Sequence, residues 1–148
     1  MLYFGYCTLL ETANMRRYCP TAAPVGVGSL SGYKLCFDTY GSGDPRGGCN
    51  LRLAAGEEIL GVLYELTPGE LSGLDSISGV DRGYYQRIDV TVTREGHEIP
   101  AVTYRIPAPG GPFHPPAEYV RPILDGAREW RLPEEYIARL VQIIEAAQ

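Results

Sequence analysis

Hydrophobic and polar positions alternate most cleanly where Ile88, Val90 and Val92 are interleaved with Arg87, Asp89, Thr91 and Thr93. A period of two sends successive side chains to opposite faces, so this stretch predicts a half-buried β-strand. Arg94-Glu95-Gly96-His97 reads as a turn that folds it back onto Ile99–Ile106, giving a hairpin. Tyr33–Tyr40 repeats the pattern, with Tyr33, Leu35 and Phe37 set against Lys34, Cys36 and Asp38. Ile59–Leu66 is instead almost continuously apolar, which predicts a central strand covered on both faces. Leu2–Tyr6 and Pro24–Leu30 are further strands, with Ser31-Gly32 a tight turn between the second of these and Tyr33. Asn50–Ala54 is a short strand leading to Glu57-Glu58, and Gly41–Gly48 is a surface loop.

The 3.6-residue period is strongest at the far end of the chain. Ala117–Trp130 carries Tyr119, Val120, Ile123, Leu124, Ala127 and Trp130 on one side, and Pro122 places the start of its regular part near Arg121. Pro133 opens a second helix whose stripe is Tyr136, Ile137, Leu140, Val141 and Ile144. Earlier, Cys7–Leu10 reads as a loop before a short helical turn over Glu11–Tyr18. Thr67, Pro68 and Glu70 form a capping-box start for a helix whose inward stripe is Leu71, Leu74 and Ile77. Strands come first and the longest helices last, without βαβ alternation. The order predicts an α+β fold, a mixed curled sheet or small β-barrel with helices packed against it. The 148 residues make one domain, 1–148.

Composition narrows the function classes. A formal net charge of −5 with dispersed arginines argues against a nucleic-acid footprint, which needs clustered cations. No apolar run is long enough to span a bilayer, so no membrane partner is expected, and the absence of a leader pattern makes the cytoplasm the expected location. Cys7, Cys19, Cys36 and Cys49 include no close pair, and His97 and His114 lie far from all of them. The expectation is idle or buried thiols, with no metal and no cofactor. No interface signature sets the oligomeric state.

One stretch combines several of these signals. Leu74-Asp75-Ser76-Ile77-Ser78-Gly79-Val80-Asp81-Arg82-Gly83-Tyr84-Tyr85 closes a helix, makes a glycine-punctuated turn and enters the alternating strand. Such a corner can hold a side chain over a cavity on stiff backbone, a natural seat for an acid or base. The residue in the seat is Ser78, which is neither near neutral pH.

The order of these pieces resembles the gamma-glutamylcyclotransferase-like (AIG2-like) superfamily over nearly the whole chain. The resemblance rests on Leu2-Tyr3-Phe4-Gly5-Tyr6, Gly61-Val62-Leu63-Tyr64-Glu65-Leu66, the Leu74–Tyr85 corner, and Tyr119 through Leu132-Pro133-Glu134-Glu135-Tyr136. It implies an internal acyl transfer, in which the α-amine of a gamma-glutamyl group attacks its own gamma carbonyl and leaves 5-oxoproline. That reaction needs a general base, donors aimed at the oxyanion and a folded substrate.

The resemblance also locates departures. The family's Tyr-Gly-Ser-Asn-Leu loop matches Tyr6-Cys7-Thr8-Leu9-Leu10, which keeps only Tyr6 and Leu10. Cys7 adds a Cβ where glycine lets a ligand approach, and Leu9 replaces an amide, so a narrower and more apolar pocket mouth is expected. The family's glutamate, just before the glycine and valine of the corner, is matched by Ser78. Asp75 is a substitute base on paper, although its match accompanies the glutamate in the family and implies a structural role. Tyr85, Tyr104 and Tyr119 match cavity-lining tyrosines.

The expected ligand-binding set is therefore Tyr6, Cys7, Thr8, Leu9, Ser78, Tyr85, Tyr104 and Tyr119, with no assigned catalytic residue and a small amino-acid-derived molecule as partner. Three readings stay open. One is a pseudoenzyme-like binding module. Another is a transferase or lyase repurposed to a related substrate, using Asp75, Glu118 or substrate self-assistance for proton transfer. The third is an ordinary cyclotransferase with a migrated base. A cysteine-based activity pairing Cys7 with His114 is a further, weaker option.

Overall fold

The computed structural model describes residues 1–148. Strand β1 is Leu2–Gly5, followed by a 3-10 turn over Thr8–Leu10 and helix α1, Thr12–Tyr18. Two long strands come next, β2 over Ala23–Thr39 and β3 over Gly47–Glu65, then helix α2 over Pro68–Ile77. After a second 3-10 turn, Val80–Arg82, come β4 (Gln86–Arg94), β5 (His97–Arg105), α3 (Ala117–Glu129) and α4 (Glu134–Ala146). The strands close into a barrel in the order β1-β3-β2-β4-β5. All neighbours run antiparallel except β1 and β5, whose parallel pairing at Tyr3 and Val102 seals the seam. The expected α+β class with a small barrel is the observed one.

The apolar run of β3 is central, as its composition predicts. Ile59, Val62, Leu63 and Tyr64 are all buried, with β1 and β2 on either side in the sheet. Helix α2 starts on its capping box: Thr67 accepts from the Glu70 amide while the Glu70 carboxylate accepts from the Thr67 amide. Leu71 and Leu74 turn inward.

Several expectations need correction. Ser31-Gly32 is no turn; β2 runs straight through it. Ser31 pairs with Glu58 and Tyr33 with Leu53, so Ala54–Glu57 of β3 stand against Gly32 alone. Gly32 and Gly56, with φ of +84° and +82°, absorb the kink, and the two predicted pairs of short strands are two bent long ones. Ile77 does not face the core but is 55% exposed. Pro122 does not delay α3, which begins at Ala117. The proline removes a single amide donor one turn into the helix, and both it and the adjacent Ile123 are buried. No helix is long and apolar enough to cross a membrane.

Candidate functional site

At one end of the barrel the 3-10 turn after β1, the end of α2 and strands β3 and β5 surround a cavity of about 220 Å³. All eight residues expected to bind ligand lie on its wall: Tyr6, Cys7, Thr8, Leu9, Ser78, Tyr85, Tyr104 and Tyr119. Sequence reasoning missed Tyr3, Tyr18, Tyr40, Cys49, Leu74 and Ile77, which complete it. Of these, Tyr18 and Ile77 are exposed and give the cavity an apolar rim.

The turn that carries Cys7, Thr8 and Leu9 is fastened from outside the cavity. Asn14 donates to the Thr8 carbonyl at 2.9 Å, and Tyr64 donates to the Leu9 and Leu10 carbonyls at 2.9 and 3.2 Å. The Trp130 indole donates to the Leu10 carbonyl at 2.9 Å. With the carbonyls so held, the amides of Thr8 and Leu9, at the open start of the turn, have no backbone acceptor. They are unspent donors on cavity-wall residues.

The opposite wall is the corner after α2. Ser78 caps that helix, and Gly79 and Gly83 take left-handed torsions, φ +70° and +75°, on either side of a 3-10 turn. A Cβ on Gly79 would fall 2.6 Å from the Tyr84 ring, so the glycine also admits that close packing. Tyr84 stacks on Tyr40 with ring centroids 4.7 Å apart and accepts a 2.6 Å hydrogen bond from Arg46. These contacts pin the corner to the β2–β3 connection and bring Ser78 to the cavity.

The floor is a set of phenols converging on Cys49. Tyr85 donates to its carbonyl at 2.8 Å, and Tyr119 accepts from its amide at 2.9 Å while lying 3.5 Å from its sulfur. Tyr6 donates to the Tyr104 carbonyl at 2.8 Å. Burial raises the hydroxyl pKa of Tyr3, Tyr6, Tyr85 and Tyr104, and pushes Tyr119 up to about 12. Each is a neutral donor across the physiological range.

Asp75 does not line the cavity. One of its oxygens accepts from the Tyr104 hydroxyl and the other from Arg87 at 2.7 Å. Both of its oxygens are thus engaged. Glu118 is exposed in the first turn of α3, and neither it nor His114 reaches the cavity. His114 instead approaches the Ala147 carbonyl near the C-terminus, which separates it from Cys7. No three His, Cys, Asp or Glu side chains come together in a way that could hold a metal ion.

The expectation of idle thiols is wrong for two of the four cysteines. Cys7 and Cys49 are joined as a disulfide, with Cα atoms 6.4 Å apart, across a sequence separation of 42. Cys7 follows β1, whose end pairs with Val62 of β3, whereas Cys49 lies near the start of β3 opposite Phe37 of β2, so it is the closed barrel as a whole that brings the two together. Cys19 and Cys36 remain free.

The AIG2-like family pattern matches residues 58–140. The chain is 33% identical to the gamma-glutamylcyclotransferase of Bos taurus, over 96% of this chain and 78% of that protein. Identity to the gamma-glutamylcyclotransferase of Homo sapiens is 34%, with the same coverages. A solved structure of a gamma-glutamyl cyclotransferase superposes with a TM-score of 0.86 at 33% identity, covering 95% of this chain and 85% of that one.

Proposed function

The chain belongs to the gamma-glutamylcyclotransferase (AIG2-like) family, and from that premise we propose that it holds a small amino-acid-derived ligand in the family cavity without the standard 5-oxoproline-forming reaction. The observation that carries this reading is the make-up of the wall. It holds phenols, two cysteines, Thr8, Ser78 and aliphatic side chains, but no carboxylate, imidazole or amine. Deprotonating the substrate ammonium needs a positioned base, and loss of one costs roughly 10²–10⁴-fold in rate. Ser78 takes the position where the family resemblance places a glutamate.

The binding half of the reading is supported by what remains. The Thr8 and Leu9 amides can donate to a carbonyl or carboxylate oxygen, and the Ser78 and Tyr3 hydroxyls add polar contacts. The apolar rim of Leu9, Tyr18 and Ile77 fits the hydrocarbon part of such a molecule. A small molecule in the cytoplasm, rather than nucleic acid or a membrane, is the partner within this proposal.

The test is 5-oxoproline release from a panel of gamma-glutamyl amino acids and amines, alongside calorimetric titration of the same compounds. The expected outcome is binding without turnover by the wild type, and turnover by Ser78→Glu. Appreciable release by the wild type would overturn the reading.

A second reading has one observation in its favour. Tyr104 lines the cavity and donates to Asp75, so a substrate proton could pass to the carboxylate through the phenol. The protein would then be an active cyclotransferase with a relocated base. Wild-type release that Tyr104→Phe abolishes would select this alternative.

A further inference from the structure

We propose that the Cys7–Cys49 pair is a thiol–disulfide exchange site, reached through the cavity by a small-molecule thiol. Three observations carry it. The two Cα atoms are 6.4 Å apart, inside the range of about 4.4–6.8 Å that a disulfide spans, and the two residues are bonded. Both cysteines lie on the wall of the cavity, whose rim is exposed at Tyr18 and Ile77, so the bond faces a space that a thiol can enter. The Tyr119 hydroxyl, a donor held by the Cys49 amide, stands 3.5 Å from the Cys49 sulfur.

The third observation sets the direction of attack. An incoming thiolate, RS⁻, bonds to the Cys7 sulfur, and the Cys7–Cys49 bond breaks. Cys49 leaves as a thiolate that Tyr119 receives with a hydrogen bond and that solvent then protonates. A leaving thiolate stabilised in this way departs faster. The product is a mixed disulfide on Cys7 and a free thiol on Cys49. A second thiol attacks the outer sulfur of the adduct and releases RSSR, leaving both cysteines reduced. Two thiols are oxidised and one cystine is reduced, so electrons balance without another reactant.

The two other cysteines do not compete. Burial pushes the Cys19 thiol up to about 11, and burial together with Asp38 pushes Cys36 up to about 12, so neither offers a thiolate near neutral pH. This goes beyond the amino-acid ligand proposed above, because a plain thiol is the probe and the readout is covalent. Failure of one proposal leaves the other standing.

The folded protein, purified without reductant, is treated with 2-mercaptoethanol, quenched with acid, and mapped by peptide mass spectrometry. Before treatment, alkylation in denaturant should label Cys19 and Cys36 only. After treatment the adduct should appear on Cys7, and Tyr119→Phe should slow its appearance several-fold. A Cys49→Ser variant treated with 2-hydroxyethyl disulfide should hold the adduct on Cys7, since no partner remains to expel it. Labelling of Cys7 and Cys49 before any reductant would overturn the proposal. So would opening of the bond only after unfolding, or an adduct confined to Cys19 or Cys36. The wild-type experiments decide the matter even if Cys49→Ser does not fold.

Discussion

Gly48 is where the backbone of β3 makes room for the site's phenols. A Cβ there would stand 2.7 Å from the Tyr119 hydroxyl and closer still to that of Tyr85. Both tyrosines are committed to Cys49, so neither can move aside without giving up a hydrogen bond. Gly48→Ala is therefore expected to cost about 1–3 kcal/mol of stability through overpacking. It should also weaken ligand binding, because the displaced rings intrude on the cavity. Denaturant unfolding checks the first effect and calorimetric titration the second; full affinity in the variant would mean the phenols do not shape the pocket. Residue-scale features of this kind divide by what the chain reveals. Tyr85, Tyr104 and Tyr119 were legible through the family resemblance. Gly48 was hidden in a glycine-rich segment that reads as a surface loop, and Tyr3 in an ordinary strand pattern.

Local chemistry made some elements easy to see. The capping box of α2 is written in three residues, Thr67, Pro68 and Glu70, because all its bonds form within one turn. The β2–β3 pair was harder, since the bulge opposite Gly32 depends on a partner strand more than twenty residues away. The same pair carries a buried polar cluster that no pattern announces. Asp38 accepts from Asn50 at 2.7 Å and from Arg52 at 2.7 and 3.1 Å, and Asn50 in turn accepts from the Leu51 and Ile106 amides. Burial alone would raise the Asp38 pKa, but the hydrogen bonds from Arg52, Asn50 and Cys36 outweigh it and hold the carboxyl below its ordinary value. A carboxyl depressed in the folded state stabilises the protein above its unfolded pKa, about 4. That contribution is lost as pH falls through the lower, folded pKa. Unfolding free energy measured from neutral pH into the acid range should fall below pH ~4, and Asp38→Asn should flatten that limb. An unchanged acid limb in the variant would show that other carboxyls set it.

At the scale of the whole molecule, closure of the barrel joins what the sequence keeps apart. The order of strands and helices revealed the fold class, because burial period and cap chemistry are local. Closure is not local: it brings Cys7 to Cys49 and the end of β1 to α3, and no spacing rule in the chain anticipates either meeting. Helix α3 crosses the turn after β1 at Gly126, where a Cβ would lie 2.6 Å from the Leu10 side chain and nearer still to the Glu11 amide. The same helix ends beside Trp130, which donates to Leu10, and carries Arg121, which pairs with Glu11 at 2.8 Å. The far end of the chain thus holds the turn that bears Cys7, Thr8 and Leu9 against the cavity. Gly126→Ala should push α3 off the turn at a cost of about 1–3 kcal/mol. Hydrogen exchange of the Leu10 amide, which donates to the Cys7 carbonyl at 3.1 Å, should rise in the variant while that of Ile59–Tyr64, in the middle of the barrel, changes little. Ligand affinity should fall with it, since the Thr8 and Leu9 amides would lose their fixed aim. If exchange rises evenly through the barrel instead, α3 stabilises the fold as a whole and does not position the turn.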